Sequence, residues 1–163
     1  MTKSKPPKLI ILDRDGVIIY DSKNYIRHVD EWHPIEGALE TIASWSKSGH
    51  RIAIATNQSA VARNYISLEM LNAIHKKMLI SVKKLGGEIE LIKFCPHLPS
   101  AKCLCRKPQP GLIFSILATL NVSASNACFI GDKRSDAEAA ENAKVTFYHV
   151  DANIPFSLSN LDI

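Results

Sequence analysis

Residues 8–16 read KLIILDRDG, an apolar run that ends abruptly in a charged turn. The run Lys8 to Leu12 is too short for a helix and matches a buried β-strand. Asp13 ends the strand, and Gly16 allows the backbone to turn sharply. The stretch therefore predicts a buried strand whose carboxyl end carries two carboxylates, on Asp13 and Asp15.

Strands and helices alternate along the chain on either side of this pattern. The sequence predicts strands at 8–12, 51–55, 89–94, 127–130 and 145–150, with helices at 36–48, 67–85, 110–120 and 136–143. Parallel strands need long crossovers, which helices supply. We therefore expect an α/β fold with a doubly wound, mostly parallel sheet in a three-layer, Rossmann-like α/β/α arrangement. Residues 1–163 are assigned to a single domain without a large cap domain.

The bulk composition is typical of a soluble globular domain. Of the 163 residues, 46% are apolar and 22% are charged. The net charge of +4 comes from scattered Lys and Arg residues, so no nucleic-acid partner is predicted. The sequence has no apolar run long enough for a membrane helix or a signal peptide. We expect a cytoplasmic monomer without a membrane partner.

Four polar segments lie at or beyond the ends of predicted strands. They are Asp13–Gly16, Thr56–Gln58, Arg106–Pro108, and Gly131–Asp132 with Asp136. In open α/β sheets, ligands bind beyond the carboxyl ends of the strands, where the strand order reverses. The sequence therefore predicts that all four segments meet at one edge of the sheet.

Together these segments carry the groups that hydrolysis of a phosphate monoester requires. Such a reaction needs a nucleophile, a proton for the leaving oxygen and neutralisation of negative charge. Asp13 can attack phosphorus to form an aspartyl-phosphate, and Asp15 can act as general acid and then general base. Thr56 and Asn57 can donate to phosphate oxygens, and Lys107 supplies positive charge.

The carboxylates also predict a catalytic metal ion. Asp13, Asp15, Asp132 and Asp136 would gather in one place, and hard oxygen ligands beside a phosphate favour Mg²⁺.

A second metal site is predicted between residues 95 and 105. Cys95, His97, Cys103 and Cys105 supply three sulfurs and one imidazole, a set that favours Zn²⁺. Four protein ligands leave no open position, so this zinc is expected to be structural. The remaining cysteine, Cys128, lies within a predicted strand and is interpreted as a small core residue.

From Ile10 to about Val150, these motifs resemble the haloacid dehalogenase superfamily of phosphohydrolases. The resemblance implies that Asp13 is the nucleophile and Asp15 the general acid and base. It also implies that Thr56 binds phosphate through its hydroxyl group, Lys107 is the motif lysine and Asp132 is a metal ligand. The resemblance gives Asp136 the second acidic position of the last motif, which is often in the outer shell of the metal.

The cysteine loop resembles those of two phosphatase branches, which act on heptose 1,7-bisphosphate and on histidinol phosphate. The segments DRDG at 13–16, TNQS at 56–59 and CLCRKP at 103–108 favour the heptose branch. That resemblance implies that Arg63 and Arg106 contact the sugar or its distal phosphate, with Lys133 adding to phosphate binding. Ala60 and Asn64 depart from the branch pattern, as do Ile19 and Ala143–Lys144, which leaves substrate preference open.

The leading hypothesis is removal of the C7 phosphate of a heptose bisphosphate, which the resemblance places in the synthesis of ADP-heptose for lipopolysaccharide core. The alternative is a histidinol-phosphate phosphatase of histidine biosynthesis. A DNA-end 3′-phosphatase and a non-enzymatic binding module are less favoured, because the zinc loop and the full catalytic set are present. A phosphorylated sugar is thus the expected small-molecule partner.

Overall fold

A computed structural model describes residues 6–163, and these residues build one five-stranded sheet with helices on both faces. The strands are β1 (Leu9–Leu12), β2 (Arg51–Asn57), β3 (Leu91–Cys95), β4 (Ala127–Gly131) and β5 (Thr146–His149). The helices are α1 (Ala38–Lys47), α2 (Leu68–Lys84), α3 (Gly111–Leu120) and α4 (Arg134–Ala143). The predicted α/β/α architecture is confirmed; the predicted domain 1–163 begins five residues before the described part.

All pairs of neighbouring strands are parallel, and their order is β3-β2-β1-β4-β5. The central strand β1 pairs with β2 on one side and with β4 on the other, so that Leu9 faces both Arg51 and Ala127. The chain winds outward from β1 in both directions. The end of β1 is therefore the point at which the strand order reverses, where α/β sheets bind ligands.

The strands β1 and β4 carry no polar side chains, because both faces of the sheet are covered there. Ile10 and Leu12 of β1 point into the core beneath α1 and α2, while Leu9 and Ile11 point into the core beneath α3 and α4. All four side chains are fully buried. Burying such a side chain contributes about 1.5 to 3 kcal/mol, so β1 is firmly held at the centre of the molecule.

Helix ends agree with the sequence patterns to within two residues. The Ser67 hydroxyl accepts a hydrogen bond from the Met70 N–H at 3.1 Å, as an N-cap residue should. The predicted fourth helix starts at residue 136, whereas α4 starts at Arg134. The Asp136 carboxylate lies in the first turn of α4 and accepts from the main-chain N–H of Asp132 and of Lys133. These hydrogen bonds stabilise a helix that begins two residues earlier than predicted. Similarly, β3 begins at Leu91 rather than at residue 89.

The connections above the carboxyl edge of the sheet are short. Residues 13–37 contain only a 3₁₀ helix, Val29–Glu31, and residues 58–67 form turns, so residues 6–163 contain no large cap. After β5 the chain forms turns and packs back on the core through buried Leu158. Along residues 6–163, each helix is too short or too polar to cross a bilayer.

Candidate active site

The site is centred on Asp13, the first residue after β1. The Asp13 main-chain N–H donates to the carbonyl of Ile130 in β4 at 3.0 Å, which continues the ladder one step beyond the strand. Its carboxylate is buried, with Oδ1 accepting from the Arg14 N–H at 2.7 Å. Asp13 Oδ2 lies 3.0 Å from Lys107 Nζ, which gives the carboxylate a cationic neighbour.

Lys107 is a fully enclosed ammonium surrounded by acceptors. Its Nζ donates to the Ala55 carbonyl at 3.0 Å and also contacts Asp13 Oδ2 and, at 2.7 Å, Asp136 Oδ1. Burial lowers the pKa of Lys107, but the charges of Asp13 and Asp136 outweigh burial and raise it above its ordinary value. Lys107 is therefore a permanent positive charge beside the candidate nucleophile.

The side chain of Asn57 holds Lys107 in place through its main chain. Asn57 Nδ2 donates to the Lys107 carbonyl and Asn57 Oδ1 accepts from the Lys107 N–H, both at 3.1 Å. This reciprocal pair joins the end of β2 to the segment that follows the cysteine loop. Sequence reasoning assigned Asn57 to the substrate; that role stays a prediction beside the positioning contact seen here.

Three of the four carboxylates predicted to bind Mg²⁺ come together. One oxygen from each of Asp13, Asp132 and Asp136 lies within 4.8 Å of the other two. Burial, and then the charge of Asp13, raise the pKa of Asp132 to about 6 and raise that of Asp136 as well. So much negative charge in a confined space favours a bound cation.

An orphaned oxygen supports the same conclusion. Asp132 Oδ1 is buried and has no hydrogen-bond partner among residues 6–163. Buried polar atoms are almost always paired, so this atom needs a ligand. The donor set of hard oxygens fits Mg²⁺.

Gly16 allows the Asp132 carboxylate to approach the turn after β1. Its φ of 82° lies in the left-handed region that favours glycine. A Cβ at this position would collide with the carboxylate of Asp132. The glycine of the DRDG turn is therefore required both for the backbone conformation and for space.

The fourth carboxylate, Asp15, is not in the Asp13 cluster and contacts other side chains. Arg14 binds it through two hydrogen bonds, in which Nε donates to Oδ1 at 2.9 Å and a terminal nitrogen donates to Oδ2 at 3.1 Å. Gln58 Nε2 donates to Asp15 Oδ2 at 2.9 Å and also to the Thr56 hydroxyl oxygen at 2.9 Å. The carboxylate is fixed at the cavity wall, and its predicted contact with Mg²⁺ stays a prediction.

Arg14, Gln58 and His75 are the residues whose contribution sequence reasoning missed. Arg14 is 1% exposed and Gln58 is 6% exposed, although both belong to polar turns. His75 lies in α2 with its Nε2 3.2 Å from a terminal nitrogen of Arg14. A signal existed for His75, because it lies four residues after Leu71 on the apolar face of its helix.

These groups open into a cavity of about 380 Å³. Its wall includes the cluster residues Asp13, Asp15, Lys107 and Asp136, the predicted substrate residues Asn57, Arg63, Arg106 and Lys133, and Tyr25. Thr56 is 1% exposed and lies beneath the wall, bonded to Gln58. Thus the structure brings the predicted substrate-binding cations to one cavity with the candidate nucleophile.

The three cations of the outer wall differ in how firmly they are held. Lys133 Nζ lies 2.9 Å from Asp21 Oδ2. Burial lowers the pKa of Lys133, but the Asp21 carboxylate raises it more, so the pKa of Lys133 lies above its ordinary value. Arg106 donates to the His97 carbonyl at 3.4 Å, and Arg63 lies 5.9 Å from the centre of the Tyr25 ring. The two guanidinium groups have no carboxylate partner within residues 6–163, and so remain available for an anion.

The cysteine loop has the geometry of a tetrahedral metal site. His97 Nδ1 lies 3.4 Å from Cys95 Sγ and 3.3 Å from Cys105 Sγ, while Cys103 Sγ lies 3.6 Å from each of those sulfurs. Zinc bonds of about 2.3 Å to sulfur and 2.0 Å to nitrogen place tetrahedral ligands roughly 3.5 to 3.8 Å apart. The four donor atoms therefore fit Zn²⁺, with no fifth protein group in the set.

Comparison with known proteins agrees with the geometry. A family model described as haloacid dehalogenase-like hydrolase matches residues 23–144. The chain belongs to the haloacid dehalogenase-like hydrolases. The expected superfamily is thus confirmed, and with it the expected class of hydrolytic enzyme.

Several similar proteins share one described activity. A D-glycero-beta-D-manno-heptose-1,7-bisphosphate 7-phosphatase of Pseudomonas putida is 47% identical over 82% of this chain and 76% of its own length. The enzyme of the same name from Neisseria meningitidis is 44% identical over 82% of this chain and 72% of its own. A crystal structure of D,D-heptose 1,7-bisphosphate phosphatase from B. bronchiseptica, complexed with magnesium and phosphate, superposes with a TM-score of 0.87. It is 37% identical and covers 96% of this chain and 88% of its own.

Proposed function

We propose that this protein is a Mg²⁺-dependent phosphomonoesterase that removes the C7 phosphate of D-glycero-β-D-manno-heptose 1,7-bisphosphate. The observation that carries the proposal is the pairing of Asp13 with Lys107 at the point of strand-order reversal, inside a cavity lined by Arg63 and Arg106. The relatives named above act on this sugar, and their names specify the β anomer.

In the first step, Asp13 attacks the phosphorus atom of the substrate and forms an aspartyl-phosphate. Asp15 gives its proton to the leaving sugar oxygen. In the second step, Asp15 takes a proton from water, which attacks the aspartyl-phosphate and releases inorganic phosphate. The hydroxyl of Thr56 donates to a phosphate oxygen once Gln58 orients it.

Negative charge is balanced by Lys107 on one side of Asp13 and by the metal on the other. Asp13 and Asp132 would hold Mg²⁺, and Asp136 contributes from beside Lys107. When bound, the ion neutralises the charge that builds up on the transferred phosphoryl group. The buried ammonium of Lys107 needs no rearrangement to do the same, which is how fixed charges lower a barrier.

Substrate choice follows from the charge of the outer wall. Arg63 and Arg106 offer two guanidinium groups, and guanidinium binds phosphate through paired hydrogen bonds. Histidinol phosphate carries a cationic end, which these groups would repel. A second phosphate on the substrate is therefore favoured over histidinol.

The remaining expectations belong to the same proposal. Zn²⁺ held by Cys95, His97, Cys103 and Cys105 has a structural role. The protein acts as a cytoplasmic monomer on a small phosphorylated sugar and needs neither nucleic acid nor a membrane.

A substrate panel tests the proposal. We expect kcat/KM to be highest for the β-heptose 1,7-bisphosphate, followed by its 7-monophosphate and then histidinol phosphate. Arg106→Ala should reduce the advantage of the bisphosphate by about ten- to a hundredfold, because a charge-assisted contact contributes roughly 1.5 to 3 kcal/mol. Small generic phosphate esters should be little affected.

Arg134→Ala is the matched control. The Arg134 side chain is 91% exposed, lies outside the cavity wall and pairs with Glu138 in its own helix. The Arg134→Ala variant should leave the order of the substrates in kcat/KM unchanged. If histidinol phosphate is the best substrate of the wild type, the heptose assignment is wrong and the alternative replaces it.

A further inference from the structure

His75 is a buried histidine that the chemistry above does not use. It lies in α2, outside all four polar segments, and is 6% exposed. Its ring packs against Phe94 of β3 with 5.9 Å between ring centres. Its Nε2 is directed at the Arg14 guanidinium, 3.2 Å from a terminal nitrogen.

The chemistry of this contact fixes the protonation state of the histidine. A guanidinium can only donate, so Nε2 must accept and the ring proton must lie on Nδ1. Burial, and then the charge of Arg14, lower the pKa of His75 to about 3. The imidazole is therefore neutral near pH 7 and remains an acceptor.

Arg14 connects His75 to Asp15 through hydrogen bonds. Two of its nitrogens donate to the two oxygens of Asp15, and one of these also donates to Gln58 Oε1 at 3.1 Å. The third nitrogen has His75 as its hydrogen-bond partner within residues 6–163. Since a guanidinium is planar, fixing the third nitrogen fixes the direction of the other two.

We propose that His75 is a positioning residue that holds the Arg14 guanidinium and thereby aims the Asp15 carboxyl group at the leaving oxygen of the substrate. The proposal rests on the proposed function, in which Asp15 is the general acid. His75 itself touches neither substrate nor metal. Its removal would leave a buried Arg14 donor unpaired and free the guanidinium to rotate.

The leaving group provides a readout that a purely structural role would not change. A sugar alkoxide leaves poorly and needs a proton from Asp15 as its bond to phosphorus breaks. The p-nitrophenolate ion is stable without that proton. The value of kcat/KM reports only the steps up to formation of the aspartyl-phosphate. The ratio of kcat/KM for the sugar to kcat/KM for the aryl ester therefore measures how well Asp15 protonates the leaving oxygen.

The experiment compares His75→Leu, which removes the acceptor, with His75→Gln, whose amide oxygen reaches the position of Nε2. Heptose bisphosphate and p-nitrophenyl phosphate are assayed with each folded protein. For His75→Leu we expect kcat/KM on the sugar to fall at least about tenfold more than on the aryl ester, since misplacing a catalytic group by an ångström costs up to about a hundredfold. His75→Gln should restore the wild-type ratio to within about threefold.

Equal losses on both substrates, or a Gln variant whose ratio matches that of the Leu variant, would overturn the proposal. If His75→Leu does not fold, His75→Phe keeps a ring of similar shape without an acceptor and is subject to the same comparison. Absence of wild-type turnover on both esters would instead refute the proposed function, and this inference with it. A changed ratio in folded His75→Leu or His75→Phe, together with a near-wild-type ratio in His75→Gln, supports it.

Discussion

The carboxylate cluster, with three residues, and the cysteine loop, with four, are both candidate metal sites, but their surroundings differ. Asp13 and Asp136 are buried, both contact the ammonium group of Lys107, and both line the cavity. The sulfurs of Cys103 and Cys105 lie in a loop near the surface, where the four donors face one another. The first arrangement leaves a side open to a substrate, and the second is closed on itself.

The comparison shows that the two donor sets of this chain favour different metals by their ligand chemistry. Hard carboxylate oxygens favour Mg²⁺, which exchanges readily and keeps positions for phosphate and water. Thiolates and imidazole favour Zn²⁺ and fill its coordination sphere. Because the two donor sets share no residue, loss of one ion should have a different consequence from loss of the other.

Lys107 is next to the cysteine loop in the sequence and beside the carboxylate cluster in space. It follows Cys105 by two residues, yet its main chain pairs with Asn57 and its Nζ contacts Ala55, both in β2. These anchors belong to the sheet rather than to the loop. We therefore expect Lys107 to keep its place when the loop is disturbed, which separates the two regions functionally.

The largest effect is expected from Asp13→Asn. An amide is not a nucleophile toward phosphorus and neutralises no cation, so kcat should fall by about 10⁴-fold or more while the fold is kept. Steady-state kinetics with circular dichroism measures both. Asp30→Asn, in the exposed 3₁₀ helix, serves as the matched control and should keep wild-type activity. Near-normal turnover by a folded Asp13→Asn protein would remove Asp13 from its assigned role.

Withdrawal of Mg²⁺ should have the next largest effect. Dialysis against magnesium-free buffer should reduce turnover by roughly a thousandfold, because several kcal/mol of charge stabilisation are lost. Adding Mg²⁺ back should restore it. Metal analysis of the same dialysed sample should still show about one zinc per chain, since a closed four-ligand site releases its ion slowly. Full activity without any divalent ion would show that the carboxylate cluster has no catalytic metal.

Cys105→Ser should have the smallest effect on chemistry and a clear effect on stability. We expect loss of zinc and a decrease in melting temperature of about 5 °C or more, because metal binding stabilises the folded loop. The value of kcat per folded molecule should change by less than about threefold. Cys128→Ala, which removes a thiol outside the loop, should retain its zinc. A Cys105→Ser protein that kept both zinc and melting temperature would disprove the structural role.

Much of this organisation was predictable because short signals coincided with strong constraints. Residues 9–12 are apolar on both faces, as is typical of a buried parallel strand, and Asp13 follows at once. The spacing of Cys95, His97, Cys103 and Cys105 predicts a closed set of four ligands, and their donor atoms do lie close together. Ser67 predicted the start of α2 through its capping hydroxyl.

What could not be predicted depends on contacts between distant parts of the chain. The burial of Arg14 follows from Gln58 and His75, which lie 44 and 61 residues away along the chain. No local pattern shows that an arginine in a polar turn will point inward. Likewise, Asn57 was assigned to the substrate, although its amide is paired with the main chain of a residue 50 positions later.

The position of β1 has a consequence for the order of events during synthesis. Leu9 pairs with Ala127, so the central strand lacks one neighbour until more than one hundred further residues have been made. Contacts of such long range form slowly, because the closure of a large loop must precede them. A growing chain thus exposes one edge of its innermost strand, and also lacks Asp132 and Asp136, until β4 and the residues that follow it have been made. Asp13, the proposed nucleophile, is translated more than one hundred residues before these two carboxylates, and its activity has to await them.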